Sequence, residues 1–436
     1  MKLKYILTIW VVVHSLMGYS CNLSSKGKIY YISSSQGNDK NDGLSEKKAL
    51  RSLAKASELR LEAGDKVLLM SGDIWEAETF LPQGNGTPEK PITISSYGKG
   101  EKPHIKPGKD LIYGIRIVNN DGYEIRGIEV SDCYGGIVVW LENIYDCKYL
   151  VIDDCYLHNI TDKDEPIHGG EKKRPATPDL IYAMGISIAG SDAFGGRTLL
   201  SDITIRKCKF DRCDVGIEII GRDHDETGEW KRHLHDKISA KAFRNVHISD
   251  CEVLRSYRTG GVMLYCITGG IAKNIVISET GYEGVGMWWG VAAFQCARVS
   301  NYIVEDCVFK NTIKGTSPDG QGFDFEADVH NVTVRRCKFL DNEGPAILYY
   351  GDSWKGANTG NVVDSCYIFG NNWSTDGDYV NKVFGVGKPA NEGVIKNCEI
   401  HLLTNEQTIE CAPIVFDKSN RVYDANGKLI FGKENQ

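Results

Sequence analysis

The chain has 436 residues, 42% of them hydrophobic and 25% charged, with a net charge of −7. That length suits one elongated domain or two to three compact ones. The acidic balance, without a basic stripe or nucleic-acid motif, argues against a nucleic-acid partner. The 47 glycines follow no collagen period and point to many tight turns.

Residues 1–20 read as a signal peptide. Lys2 and Lys4 form a positive start, Ile6 to Val13 a short apolar core, and Leu16-Met17-Gly18-Tyr19-Ser20 leads into Cys21. The apolar run is too short to span a bilayer. Cys21 stands where a bacterial lipoprotein is cleaved and acylated, although Gly18 occupies a position where leucine is usual. The expected location is the cell envelope, as a lipoprotein of the periplasm or outer-membrane surface, or outside the cell as a secreted protein. Membrane contact is expected through the lipid alone. Residues 21–436 read as a single domain.

Residues 28–107 form an N-terminal cap and first strands. Tyr30-Tyr31-Ile32-Ser33 predicts a strand, and residues 37–43 a turn. Ser45 is placed to cap a helix from Glu46 to Arg60, with Leu50, Leu53, Ala54 and Ser57 on one face. Such a helix would cover the sticky end of a solenoid.

Residues 108–403 repeat. Gly127-Ile-Glu-Val-Ser-Asp-Cys133 and Asn245-Val-His-Ile-Ser-Asp-Cys251 are two of eight copies that end in cysteine. The others end at Cys155, Cys208, Cys307, Cys337, Cys366 and Cys398. A ninth, Asn274-Ile-Val-Ile-Ser-Glu-Thr280, puts threonine in that slot. Successive gaps are 22, 53, 43, 29, 27, 30, 29 and 32 residues, so the two long ones hold insertions or a degenerate extra turn. After most copies a second strand starts at a small residue, as in Gly216-Ile-Glu-Ile, Gly261-Val-Met-Leu-Tyr265 and Gly322-Phe-Asp-Phe-Glu326. Short alternating strands at this period, without helical periodicity, predict an all-β fold: a parallel β-helix with one coil per repeat. Stacked coils place like residues in columns about 4.8 Å apart. The slot cysteines then read as reduced core residues and not as disulfides or metal ligands. Residues 404–436 read as a C-terminal cap with a hairpin turn at Asp424-Ala425-Asn426-Gly427.

The stretch from Tyr30 to Ala56, followed by Gly64-Asp65-Lys66-Val67, resembles the opening of secreted right-handed parallel β-helix proteins, the pectin-lyase-like superfamily. Asp319-Gly320-Gln321-Gly322-Phe323-Asp324-Phe325-Glu326 resembles a pattern in β-helix proteins of bacterial glycan-degrading systems. The resemblance implies a right-handed solenoid and a carbohydrate-active protein. The superfamily includes lyases, hydrolases and epimerases, so it leaves the reaction open.

Strand alternation sorts the second-strand residues. Ile217, Ile219, Val262, Leu264, Phe323 and Phe325 should face the core. Glu218, Met263, Tyr265, Asp324, Glu326, Leu348 and Tyr350 should share one solvent face, with Tyr349 inside. One of Trp288 and Trp289 should join that face. Acids and aromatics there suit a sugar groove. Asp324 and Glu326, Cα atoms about 7 Å apart, are the paired carboxylates for acid/base or nucleophilic work. The bland alternative is turn capping or calcium ligation by Asp324 or Asp328. Glu218, three rungs or about 14 Å away, is the accessory catalytic candidate. Tyr265, Trp288, Tyr350, Arg222, His224 and His233 are candidate substrate-binding residues, the last three from an insertion after the Glu218 strand. A second insertion, residues 162–179, reads as a charged loop. Glu343 and Asp352 read as turn residues near the site.

Three functions stay open on these residues. The first is a glycoside hydrolase using Asp324 and Glu326, which needs no cofactor. The second is a polysaccharide lyase acting on a uronate glycan, with a base among Arg222, Lys231, His233 and Arg258 and with calcium. The third is a non-catalytic surface glycan-binding protein. In each the partner is a poly- or oligosaccharide, and no metal-ligand set is read from the sequence.

Overall fold

The solenoid is shaped by corners at which the backbone turns left-handed. Asn245, Asn301 and Asn331 each have φ of +54°, and Asp132, Asp154 and Asp250, directly before slot cysteines, have +55°. Asparagine and aspartate enter this region at lower cost than other side-chain-bearing residues. That explains both the Asn column and the recurrent Asp-Cys pair in the repeat. Between corners run short strands that stack in parallel on the next coil.

The computed structural model describes residues 27–433 apart from 143, 163–176, 178, 179, 181, 192–197, 225–229, 232–241, 285–289, 352–355 and 388–390. The export segment and Cys21 lie outside these residues. Three parallel ladders run along the axis. One starts with Ile29–Ile32, Lys66–Met70 and Ile92–Tyr97 and continues to Val415–Phe416. A second runs from Ile74–Glu76 through His104–Lys106, Glu129–Ser131 and Tyr156–Ile160 to Arg421–Tyr423. The third, which carries the candidate site, takes Tyr113–Val118, Gly135–Leu141, Met184–Ser191, Val215–His224 and the start of Gly260–Lys273. It then takes the start of Val291–Glu305, Gly320–Ala327, Ile347–Tyr349 and Phe384–Val386.

The core lies inside the coil. Ile217, Ile219, Val262, Leu264, Phe323 and Phe325 are fully buried, as alternation predicts. Phe323 stacks on Phe294 at 5.3 Å between ring centroids, and Phe325 on Tyr349 at 4.6 Å. Each such side chain contributes about 1.5–3 kcal/mol on burial. All thirteen described cysteines are buried and unpaired. In seven slot cysteines, Cys155, Cys208, Cys251, Cys307, Cys337, Cys366 and Cys398, the thiol lies near carbonyls of its own and the preceding coil; Cys337 Sγ lies 3.3 Å from Arg335 O and 3.7 Å from Val304 O.

The registers resolve two points of the repeat. Lys209 pairs with both Tyr156 and Glu252, so the 53- and 43-residue gaps each belong to one coil with insertions, not to an extra turn. The ninth copy is differently framed from the prediction. Val276 pairs with Glu252 and Val308, which puts Ile275, not Thr280, in the cysteine column. Gly269, with φ of +77°, takes the Asn corner, and Asn274 takes the corner before the slot. Asparagine suits both corners, and that equivalence misleads a sequence alignment.

The predicted N-terminal helix is much shorter than Glu46 to Arg60. A single 3-10 turn covers Glu46–Lys48, and the α-helix is Leu53–Ala56, capped by Ser52 and not Ser45. Leu50 forms a parallel bridge with Ile32, and Asp39 accepts hydrogen bonds from the backbone of Arg51 and Ser52. These contacts hold the segment extended. Leu50 and Leu53 are buried, as the predicted face requires, but Ala54 is exposed and Ala56 is buried in its place. At the other end, Leu429–Phe431 folds back antiparallel on Arg421–Tyr423 through the expected turn, with Gly427 at φ +78°. Among the described residues no helix is long and apolar enough to cross a membrane.

Candidate active site

On the third ladder one outward column reads Ser187, Glu218, Met263, Gln295, Asp324, Leu348 and Gly385 in neighbouring rungs. Asp324 sits in mid-strand. Two residues on, the register with the previous strand shifts: Cys296 faces Phe325, but Ala297 faces Ala327. Glu326 is the extra residue of this bulge. The carboxyls of Asp324 and Glu326 come within hydrogen-bonding reach of each other. Gln295 Nε2 lies 3.3 Å from Asp324 Oδ2 and 3.4 Å from Glu326 Oε2, and Tyr265 donates its hydroxyl to Gln295 Oε1 at 2.7 Å. Tyr265 thus fixes the amide so that its NH2 group faces both acids.

A third carboxyl joins them. Asp319, in the turn ahead of the strand, is 8% exposed. It packs so tightly on Gly290 that a Cβ there would come within 2.1 Å of Asp319 Oδ1 and displace the carboxyl from this position. Burial first, and then the charge of Glu326, push the Asp319 carboxyl up to about 7. Asp324, 2% exposed, is held well above the usual carboxylate range by burial and by the charges of Glu326 and Asp319. Oδ1 of each aspartate is buried without a hydrogen-bond partner among the described residues. Glu326, Tyr350 and Tyr379 are only half-buried and mark the side on which solvent reaches the acids. Burial and the charges of Asp319, Asp324 and Asp378 raise the Tyr379 phenol, so it stays protonated. Gly387 lets Tyr350 and Tyr379 approach, since a Cβ there would lie 3.1 Å from both side chains. The site therefore gathers two carboxyls biased toward the protonated form, a more accessible glutamate and a phenol donor in one place.

A family model described as "Right handed beta helix region" matches residues 112–381, more than half of the chain. The chain belongs to the right-handed β-helix family. As a right-handed β-helix protein it superposes on the GH136 lacto-N-biosidase from Eubacterium ramulus with a TM-score of 0.64. That match covers 91% of this chain and 68% of the other at 17% identity. It superposes on XylC in complex with xylose with a TM-score of 0.55, at 11% identity, over 94% of this chain and 85% of that one. These likenesses show the fold. In sequence, 82 residues are 37% identical to a lacto-N-biosidase of Bifidobacterium longum subsp. longum, covering 18% of this chain and 5% of that protein. The matched stretch is thus a small part of the length of that curated relative.

Within this β-helix the predicted site residues separate. Asp324 and Glu326 meet, as their spacing suggests. Glu218 is three rungs away in the same column and fully buried, not on an open solvent face. Met263 and Leu348 are likewise fully buried, and Tyr265, 5% exposed, is a support for Gln295 rather than an open sugar platform. The outward column is thus a covered surface for most of its length. Tyr349 is inside and Tyr350 half-exposed, as expected. Glu343 accepts from the Lys314 backbone at 2.7 Å and is a turn residue. Arg258, a candidate lyase base, is 2% exposed and lies 3.2 Å from Asp162 and 3.6 Å from Asp214, which makes it structural. Trp288, Trp289, His233 and Asp352 lie outside the described residues. The backbone of Arg222 and His224 extends the Val215–His224 strand into a hairpin with Trp230–Lys231, whose side chains are not described.

Sequence reasoning missed Gln295, Asp319 and Tyr379. Gln295 had a usable signal: it is the residue of the preceding rung in the Asp324 column. Asp319 lies in the quoted motif, but a turn aspartate before glycine reads as a turn former. Tyr379 comes from a segment with no repeat signature. Its neighbour Asp378 donates its backbone N–H to Pro318 O at 3.3 Å, and Asp376 pairs with the buried Lys314 at 2.8 Å, which folds this segment over the Asp319 turn.

Proposed function

We propose that this β-helix protein is a carbohydrate-active enzyme, and specifically a glycoside hydrolase. The observation that carries the reading is a trio of carboxyls, Asp319, Asp324 and Glu326, in which burial and neighbouring acids push Asp319 and Asp324 toward the protonated form. Glycoside hydrolysis needs a proton donor for the leaving oxygen and a carboxylate as nucleophile or base. Asp324 and Glu326 hydrogen-bond each other, so they act as one unit and do not flank the glycosidic bond separately. Glu326 is the carboxylate that meets the sugar, Asp324 holds it, and Asp319, poised near neutrality, is the proton donor. The 37% identity to a lacto-N-biosidase and the fold likeness to another support the hydrolase class.

The lyase reading is weaker on this geometry. Arg258 is removed from it by burial in an ion-pair network, and a protonated Asp324 is a poor calcium ligand. The deciding measurement is an oligosaccharide panel that begins with lacto-N-biosidase substrates and extends to plant and algal glycans. A hydrolase releases reducing ends without ultraviolet absorbance. Unsaturated uronate products would establish a lyase, and affinity without turnover a binding protein. Asp319→Asn, Asp324→Asn and Glu326→Gln should each lower kcat/KM by about 10²–10⁴-fold; unchanged turnover in all three would reject the site.

We further propose that residues 1–20 export the protein and that Cys21 carries a lipid. A radiolabelled fatty acid should label the wild type and not Cys21→Ala; equal labelling would refute the anchor.

A further inference from the structure

Far from the acids in the chain, on the ladder that contains Glu129–Ser131, two histidines and a glutamate converge from three neighbouring coils. His104, Glu129 and His158 present their ring nitrogens and a carboxylate oxygen within 4.8 Å of one another, each side chain partly buried. His158 Nε2 lies 2.9 Å from Glu129 Oε1, and His104 Nδ1 lies 3.7 Å from the same oxygen. Ligands of a tetrahedral zinc ion, at about 2.0–2.1 Å from the metal, stand about 3.3 Å apart. The two observed separations bracket that value.

The hydrogen bonds around His104 show which of its nitrogens is free to ligate. Ser131, fully buried, donates its one hydroxyl proton to Asp132 Oδ2 at 2.8 Å. It must therefore accept from His104 Nε2, which is also 2.8 Å away. With its proton on Nε2, a neutral His104 ring turns the bare lone pair of Nδ1 toward the Glu129 carboxylate. Two acceptors then face each other across 3.7 Å with no proton between them. A cation bonded to both satisfies this arrangement. The Ser131 bond to Nε2 is the outer-shell contact that fixes the tautomer and orientation of a ligating histidine. Tyr156, stacked on His158 at 4.5 Å, limits the swing of the second ring.

We propose that His104 Nδ1, His158 Nε2 and a Glu129 carboxylate oxygen form a binding site for a divalent transition-metal ion of the zinc class. Two imidazoles and one carboxylate suit zinc, cobalt or nickel better than calcium or magnesium, which prefer all-oxygen sets. The fourth position is left to water. The ion would tie together the coils of His104, Glu129 and His158, so its effect is on the stability of the N-terminal half of the solenoid.

The test uses the full chain after treatment with chelator. Cobalt(II) titration should give a visible d–d band that saturates at one equivalent and is displaced by zinc, and zinc should raise the melting temperature by several degrees. His158→Gln and Glu129→Gln, both at partly exposed positions, should weaken cobalt binding at least tenfold and abolish the zinc-dependent rise. Absence of the band in the wild type overturns the site without reliance on any variant. A band that persists unchanged in both variants, or one dominated by thiolate charge transfer, places the metal elsewhere and overturns it equally.

Discussion

Gln295 is the residue on which the acid cluster turns. It holds Asp324 and Glu326 by one amide nitrogen, and its own orientation is set by the Tyr265 hydroxyl. Gln295→Leu should keep the fold and lower kcat/KM by about 10–100-fold, because a buried carboxyl loses a neutralising donor. Tyr265→Phe should cost less, since the amide can still reach the acids. Steady-state kinetics with circular dichroism on both variants checks the ranking. Asp319 adds a pH signature. Its carboxyl is raised from about 3.9 in an unfolded chain to about 7 in the fold. In that interval the folded state keeps a proton that the unfolded state has lost. The contribution to stability is therefore fully present below about 4 and is lost as pH rises through about 7. Denaturant titrations between pH 4 and 8 should show this decline in the wild type and a flatter profile in Asp319→Asn. The same group should make kcat/KM of the wild type fall above about pH 7.

At the scale of the coil, the corners carry much of what the sequence displays. Asn301 at φ +54° is a position where a β-branched residue is strained, so Asn301→Val should cost about 1–3 kcal/mol by chemical denaturation. Asn301→Gly should be nearly neutral. The corner rule also explains how much of the molecule was legible. Alternation told Phe323 from Asp324 and Tyr349 from Tyr350, because the period of two is a local property. The frame of the copy at Asn274 was misread because two corners accept the same residue and a local pattern cannot tell them apart. The helix at Glu46 was over-extended because its fate depends on a bridge from Leu50 to Ile32, across the turn. At the site, Asp324 and Glu326 were legible as a pair within one strand. Gln295 could be found only by aligning its rung with that of Asp324, and Tyr379 and the trio His104, Glu129 and His158 were not legible, since their meeting is created by stacking and folding over and no single stretch records it.

Across the whole molecule the thirteen described cysteines are buried and unpaired, so packing and ladder hydrogen bonds hold the solenoid without covalent staples. A reducing agent should leave the melting temperature unchanged, and iodoacetamide should label these cysteines in denaturant and not in the native protein. A fall in melting temperature on reduction would show bridges between neighbouring coils. The insertions have a consequence of a different kind. Cys155, Cys208 and Cys251 lie in one column although 53 and 43 residues separate them, so loop growth at a corner leaves the rungs on either side in step. The frame and the loops are mechanically uncoupled, like a rail and the fittings bolted to it. The surroundings of the acids can then be rewritten by lineage after lineage, one loop at a time, while the packed interior that holds the acids in place never has to be solved again.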